Sequence, residues 1–152
     1  MTKHHLIFVF MLLFSVAFGE VAAQKVKVGK DFSVSIERTP CRGTCPAFKM
    51  SIDRKGNVQY EGIRGVKNVG KFHKKLTKAQ LKAIISVVEK AKYFTFADKY
   101  DKEGVVDVPS CTFTYKNNGK AKSIFQRMDI PEALTNMTAT VEKMVGEEGY
   151  VK

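Results

Sequence analysis

The sequence predicts an α+β domain: one antiparallel sheet with two amphipathic helices packed on one face, in the order β-β-β-(β)-α-β-β-α. Three observations predict it. Several short runs alternate apolar and polar residues with a period of two, which marks half-buried strands. Two longer runs repeat apolar residues at helical spacing behind recognisable start signals. The strands are joined by tight turns, which only antiparallel neighbours can use.

Phe32, Val34 and Ile36 alternate with Ser33, Ser35 and Glu37 to give the first strand. Phe48, Met50 and Ile52 alternate with Lys49, Ser51 and Asp53 to give the second. Arg54-Lys55-Gly56-Asn57 has turn chemistry, and Val58 and Tyr60 continue into a third strand that ends or bulges near Gly62 and Gly65. Val69–Lys75 is a short fourth strand.

Thr77 and Gln80 then form a capping-box pair, with Leu76 and Leu81 spaced as a hydrophobic staple. Leu81, Ile84, Ile85 and Val88 extend a helix over 78–92, and Lys90 and Lys92 suit its negative C-terminal end. Tyr93–Pro109 is a long connection whose aromatic residues Tyr93, Phe94 and Phe96 pack under the sheet. Cys111, Phe113 and Tyr115 share one face of a further strand. Asn117-Asn118-Gly119 predicts a type I′ hairpin turn, with Lys120–Arg127 returning. Asp129 caps the last helix, with Pro131 in its first turn, Glu132 three residues on, and Leu134, Met137, Val141, Met144 and Val145 as its apolar stripe. Gly146 ends it.

The chain begins with a different kind of segment. A short basic start precedes the apolar run Leu6–Phe18, and Val21-Ala22-Ala23 supplies small residues ahead of Gln24. This is the order of a secretory signal peptide, and the run is too short to span a bilayer. The expected organisation is therefore a signal peptide at 1–23, a flexible lead-in at 24–31 and a single domain at 32–152, exported to the periplasm or exterior after cleavage near Ala23. The mature chain has no transmembrane segment. Lys3 and Glu20 leave together, so the net charge of +11 is unchanged. Such a surplus favours anionic surfaces: acidic glycan, lipopolysaccharide or an acidic envelope protein. Export makes a specific nucleic-acid partner unexpected.

Cys41 and Cys45 flank Arg42-Gly43-Thr44 in the turn between the first two strands. In an exported chain the expected state is a local disulfide that pins this corner. Cys111 is the odd thiol; buried and free is one arrangement, and pairing with Cys41, Cys45 or a second chain are others. A redox role for Cys41 and Cys45 would ordinarily use a Cys-x-x-Cys spacing in a βαβ setting. A structural zinc site needs four ligands, and His73 is the one histidine left after the leader. No cofactor, metal site or catalytic residue is expected.

At these residues the chain resembles a known family. Arg38-Thr39-Pro40-Cys41-Arg42-Gly43-Thr44-Cys45-Pro46, Gly56-Asn57-Val58-Gln59-Tyr60-Glu61-Gly62, Asp107-Val108-Pro109-Ser110 and Pro131-x-x-Leu134 resemble the pattern of domain-of-unknown-function family 6438, a family of exported bacterial proteins. The resemblance runs from about Ser33 to Val145 and implies no activity.

Lys67, Lys71, Lys74, Lys75, Lys78 and Lys82 crowd one stretch and form a possible polyanion patch. Asp98, Asp101, Glu103 and Asp107 make an acidic loop that lacks the spacing of an EF-hand. The functional expectation is a non-enzymatic binding or structural module of the bacterial envelope. The alternatives are a polyanion-binding protein acting through the lysines, and a thiol oxidoreductase using Cys41 and Cys45.

Overall fold

The computed structural model describes residues 26–152. The expected leader and the first two residues of the lead-in lie outside the described residues. The elements are β1 (Ser33–Arg38), β2 (Ala47–Asp53), β3 (Asn57–Arg64), β4 (Gly70–Lys75), α1 (Lys78–Lys90), β5 (Lys99–Tyr100), β6 (Cys111–Asn117), β7 (Lys120–Gln126) and α2 (Glu132–Val145). The strands form one sheet in the order β4-β3-β2-β1-β6-β7-β5. Among the described residues no helix is long and apolar enough to cross a membrane.

Both helices cover the same face, so the α+β expectation holds. Val34 and Ile36 of β1, Met50 and Ile52 of β2, and Phe113 and Tyr115 of β6 meet Leu81, Ile84 and Ile85 of α1 and Leu134 and Val141 of α2 in one core. Each fully buried side chain of this size contributes about 2 kcal/mol. That outweighs the few tenths that separate one residue's helix propensity from another's, so packing decides where the helices lie. The opposite face is polar and solvated, as an antiparallel sheet covered on one side permits.

Three expectations are corrected. The sheet is mixed rather than wholly antiparallel: β5, inside the predicted connection, runs parallel to β7 with Lys99 beside Phe125 and Tyr100 beside Gln126. Two residues carry no periodicity, so nothing local announced them. Helix α1 stops at Lys90 because Lys92 takes a left-handed conformation (φ 54°) that turns the chain into a 3-10 segment burying Tyr93. Asp129 does not cap α2; it sits at φ 52°, and the helix starts after Pro131. A residue before proline resists the helical region, so Ile130 cannot open the helix.

Residues 26–31, within the expected lead-in, make contacts with the β6–β7 turn. The Gly29 amide donates to Asn117 Oδ1 at 2.8 Å, and Asn117 Nδ2 donates to the Lys27 carbonyl at 3.3 Å.

The local turn signals hold. Thr77 and Gln80 make the reciprocal capping box. Asn118 (φ 52°) and Gly119 (φ 78°) form the two-residue turn between Asn117 and Lys120. On β3 the pairing with β2 slips by one residue at Ile63, bulging the strand just before Gly65.

Candidate functional site

The corner between β1 and β2 is closed by a Cys41–Cys45 disulfide, with the two Cα atoms 5.7 Å apart. Side chains from distant parts of the chain brace it. Thr39 donates its amide to the Ser110 carbonyl at 3.0 Å, and the Ser110 amide donates to Thr39 Oγ1 at 2.8 Å. The Arg64 guanidinium donates to the carbonyls of Cys41 and of Gly43, the latter at 2.8 Å. Arg42 pairs with Asp107 at 3.0 Å. Gly65, at φ +65°, lies so close that a Cβ would stand 2.7 Å from the Cys45 carbonyl oxygen. Only glycine serves there, because both the backbone angle and the space forbid a side chain.

Behind this clasp the buried face changes character. In register across the sheet lie Phe48, Arg38, Cys111 and Gln126, from β2, β1, β6 and β7. Helix α2 sets Thr138 and Glu142 over the same end. Arg38 donates to Glu142 Oε1 at 2.7 Å and Oε2 at 3.2 Å, a two-point grip between sheet and helix. Cys111 is buried and its thiol is pushed up to about 11 by burial. Gln126 Nε2 and Thr138 Oγ1 are buried with no hydrogen-bond partner among the described residues.

Beside this polar layer opens a crevice of about 600 Å³ between the β2–β3 surface and the end of α2. Phe48, Met50, Tyr60 and Tyr150 make its apolar floor, and the Arg38–Glu142 pair stands at its wall. Phe48 and Tyr60 stack with centroids 5.5 Å apart, and Tyr60 meets Tyr150 at 4.9 Å. A trough of similar volume on the open face is lined by Ser35, Ser51, Gln59 and His73. It is the solvated side of the sheet, whereas the crevice joins apolar surface to a few oriented polar groups, the usual composition of a ligand site.

The profile of the domain of unknown function DUF6438 matches residues 32–145, which run from the entry to β1 to the last residue of α2. The chain belongs to the DUF6438 family. No curated protein matches the sequence. Within this DUF6438 domain, three of the four segments that carried the resemblance lie close to one another. Thr39 and Cys41 of the first segment touch Ser110 of the third and the clasp, while Tyr60 of the second floors the crevice.

The other residues singled out from the sequence fall as follows. Lys71 and Lys75 are exposed on β4, and Lys78 and Lys82 on α1. Lys67 is paired with Glu148, and Lys74 donates to the carbonyls of Val145, Gly146 and Glu148. The six lysines thus form no single open patch, because the C-terminal segment occupies two of them. Each acid of the 98–107 loop other than Glu103 has a cation: Asp98 has Lys122, Asp101 has Arg127 and Lys99, and Asp107 has Arg42. Among the described residues no three His, Cys, Asp or Glu side chains gather as a metal-binding group. Arg38, Glu142 and Tyr150 were not anticipated. A signal existed for Arg38, which continues the buried alternation of Val34 and Ile36 and so had to face inward.

Proposed function

We propose that the protein is an exported, non-enzymatic binding module of the bacterial envelope, and that its ligand-contacting surface is the crevice beside the clasp. The observation that carries the reading is the aromatic floor of Phe48, Tyr60 and Tyr150 set against the Arg38–Glu142 pair. Apolar area gives affinity there and the ion pair gives orientation. Export is supported by the leader-like residues 1–23 and by a disulfide that suits an oxidising compartment. A binding role is favoured over thiol chemistry at Cys41 and Cys45 because their spacing and strand–turn–strand setting depart from a redox motif and their corner is braced by Arg64 and the Thr39–Ser110 contact.

A photoreactive phenylalanine analogue placed at Val66, on the crevice rim, tests the reading in cells. The same group at Thr95, on the flank near α1, is the reference. Crosslinked products from Val66 but not from Thr95 are expected. Equal yields from the two positions would count against the crevice. Recovery of a chain that starts after residue 23 with Cys41 and Cys45 oxidised tests export.

A second reading rests on the charge of +11 and on four exposed lysines: Lys71, Lys75, Lys78 and Lys82. As a polyanion site these would hold heparin in a salt-sensitive way. Changing all four to Glu should release it at lower salt than wild type; unchanged elution would refute this reading.

A further inference from the structure

After α2 the chain does not leave the domain. Residues 146–152 double back over the β4 edge, with Gly146 at φ 68° and Gly149 at φ 75° as its bends. The contacts along this strap are of three kinds. Val151 and His73 exchange both main-chain hydrogen bonds, at 2.8 and 2.9 Å, as strands do. Tyr150 inserts its ring against Tyr60 and Phe72, and its hydroxyl lies 3.8 Å from Met50 Sδ. The acidic residues meet cations and amides: Glu148 pairs with Lys67, the Glu147 carbonyl accepts from Asn68 at 2.9 Å, and Lys74 stands 4.2 Å over the Tyr150 ring.

These are the contacts by which an extended peptide joins a sheet edge: main-chain pairing for affinity and side-chain pockets for specificity. Strand β4 is the outer strand at this end of the sheet, and among the described residues His73 is its one residue bridged on the outward side. An edge so exposed is a template for a further strand. The strap also lies wholly beyond the region matched by the family profile, which ends at Val145. The matched domain by itself therefore presents an uncovered β4 edge, an aromatic slot and two lysines.

We infer that the β4 edge, with the slot formed by Met50, Tyr60 and Phe72, is a strand-addition site for an extended peptide of a partner protein, and that residues 147–152 are its built-in competitor. The peptide's chemistry is read from the strap: an acidic residue that meets Lys67, an aromatic residue two positions on that lies under Lys74, and a following residue that pairs with His73. The inference rests on the crevice as a binding site and names its partner class. The positive charge of Lys67, Lys71, Lys74 and Lys75 around the edge favours the same acidic segment.

The test uses the full chain carrying Tyr150→Ala and Val151→Pro, which empties the slot and removes the amide that donates to His73. The probe is a fluorescent peptide with the sequence of residues 146–152, followed by anisotropy. The released variant should bind it about tenfold more tightly than wild type, since closure of the strap taxes the wild-type affinity. A peptide with alanine in place of its tyrosine, or the further change Lys74→Met, should abolish that gain. The His73 amide should exchange faster with solvent in the released variant and slow again when peptide is added. If the double variant does not unfold cooperatively, Glu148→Lys in the otherwise native chain takes its place. Equal affinity of wild type and a folded released variant would overturn the inference. So would a dimer formed by exchange of straps with no uptake of added peptide. Failure here together with crosslinking from Val66 would leave the crevice as a site for a ligand of another kind.

Discussion

The two ends of the sheet are held by different means. At the end where β6 turns into β7, a two-residue turn is joined to the segment before β1 by single hydrogen bonds, one of them to the Asp31 carboxylate. Asn118 and Gly119 supply the turn, and Asn117, almost fully buried, ties residues 27 and 29 to it. At the clasped end, a local disulfide is overlaid by side-chain contacts that join parts of the chain far apart. Arg38 reaches Glu142, Thr39 reaches Ser110, and Arg64 reaches over the disulfide loop. The turn end starts from a local conformational preference and adds a few single hydrogen bonds to the segment before β1. The clasped end adds to its local disulfide a sheet-to-helix ion pair, which forms only when sheet and helix are docked. A shaped, rigid surface comes at the second kind of end, and that is where the crevice lies.

The comparison can be broken from the clasped side first. Arg38→Met should cost about 3 kcal/mol in urea unfolding, because two charge-assisted hydrogen bonds vanish and Glu142 is left without its cation in a half-buried setting. Converting Cys41 and Cys45 together to serine should cost about 2 kcal/mol, the closure entropy of a five-residue loop. Ser110→Ala in that background should cost less than in the native chain if clasp and Thr39–Ser110 contact act as a unit. At the other end, Asn117→Ala should cost about 1.5 kcal/mol, since it strands the buried Gly29 amide. A cost for Asn117→Ala well above that of Arg38→Met would invert the contrast.

The smallest effects separate the ends by pH. The Gly119 amide that donates to Asp31 at 2.8 Å holds this carboxyl below the usual range. Its contribution is complete above the ordinary carboxylate pKa and is lost as pH falls through the depressed value. Asp31→Asn should flatten that acid limb of the stability curve. Cys111 behaves oppositely. Burial raises its folded pKa to about 11, so its contribution is complete below pH 9 and is lost as pH rises through 11. Cys111→Val should remove that part of the alkaline loss, read from thermal unfolding at stepped pH.

How much of this was legible in the sequence follows from distance along the chain. Thr77 and Gln80, Asn118 and Gly119, and Cys41 and Cys45 each express their structure within four residues, and each was read correctly. Asp129 misled because the constraint that overrides it belongs to Pro131 acting on Ile130, a steric effect that a cap pattern does not encode. Strand β5 has two residues and exists because β7 offers an edge to it. Arg38 was legible as inward-facing but not as paired, since its partner lies 104 residues away. The Met50–Tyr150 contact spans 100 residues and has no local sign at all. The candidate site was thus visible in its covalent corner and invisible in its floor.

The unpartnered Gln126 and Thr138 have a practical consequence. Two buried polar atoms without hydrogen bonds among the described residues are a reserve of unused heat tolerance. Replacing Gln126 with leucine and Thr138 with valine should raise the melting temperature, each change recovering about 1 kcal/mol of desolvation. A domain hardened in this way would keep the crevice walls formed by Arg38 and Glu142. It would serve as a sturdy frame on which the crevice floor could be redesigned residue by residue.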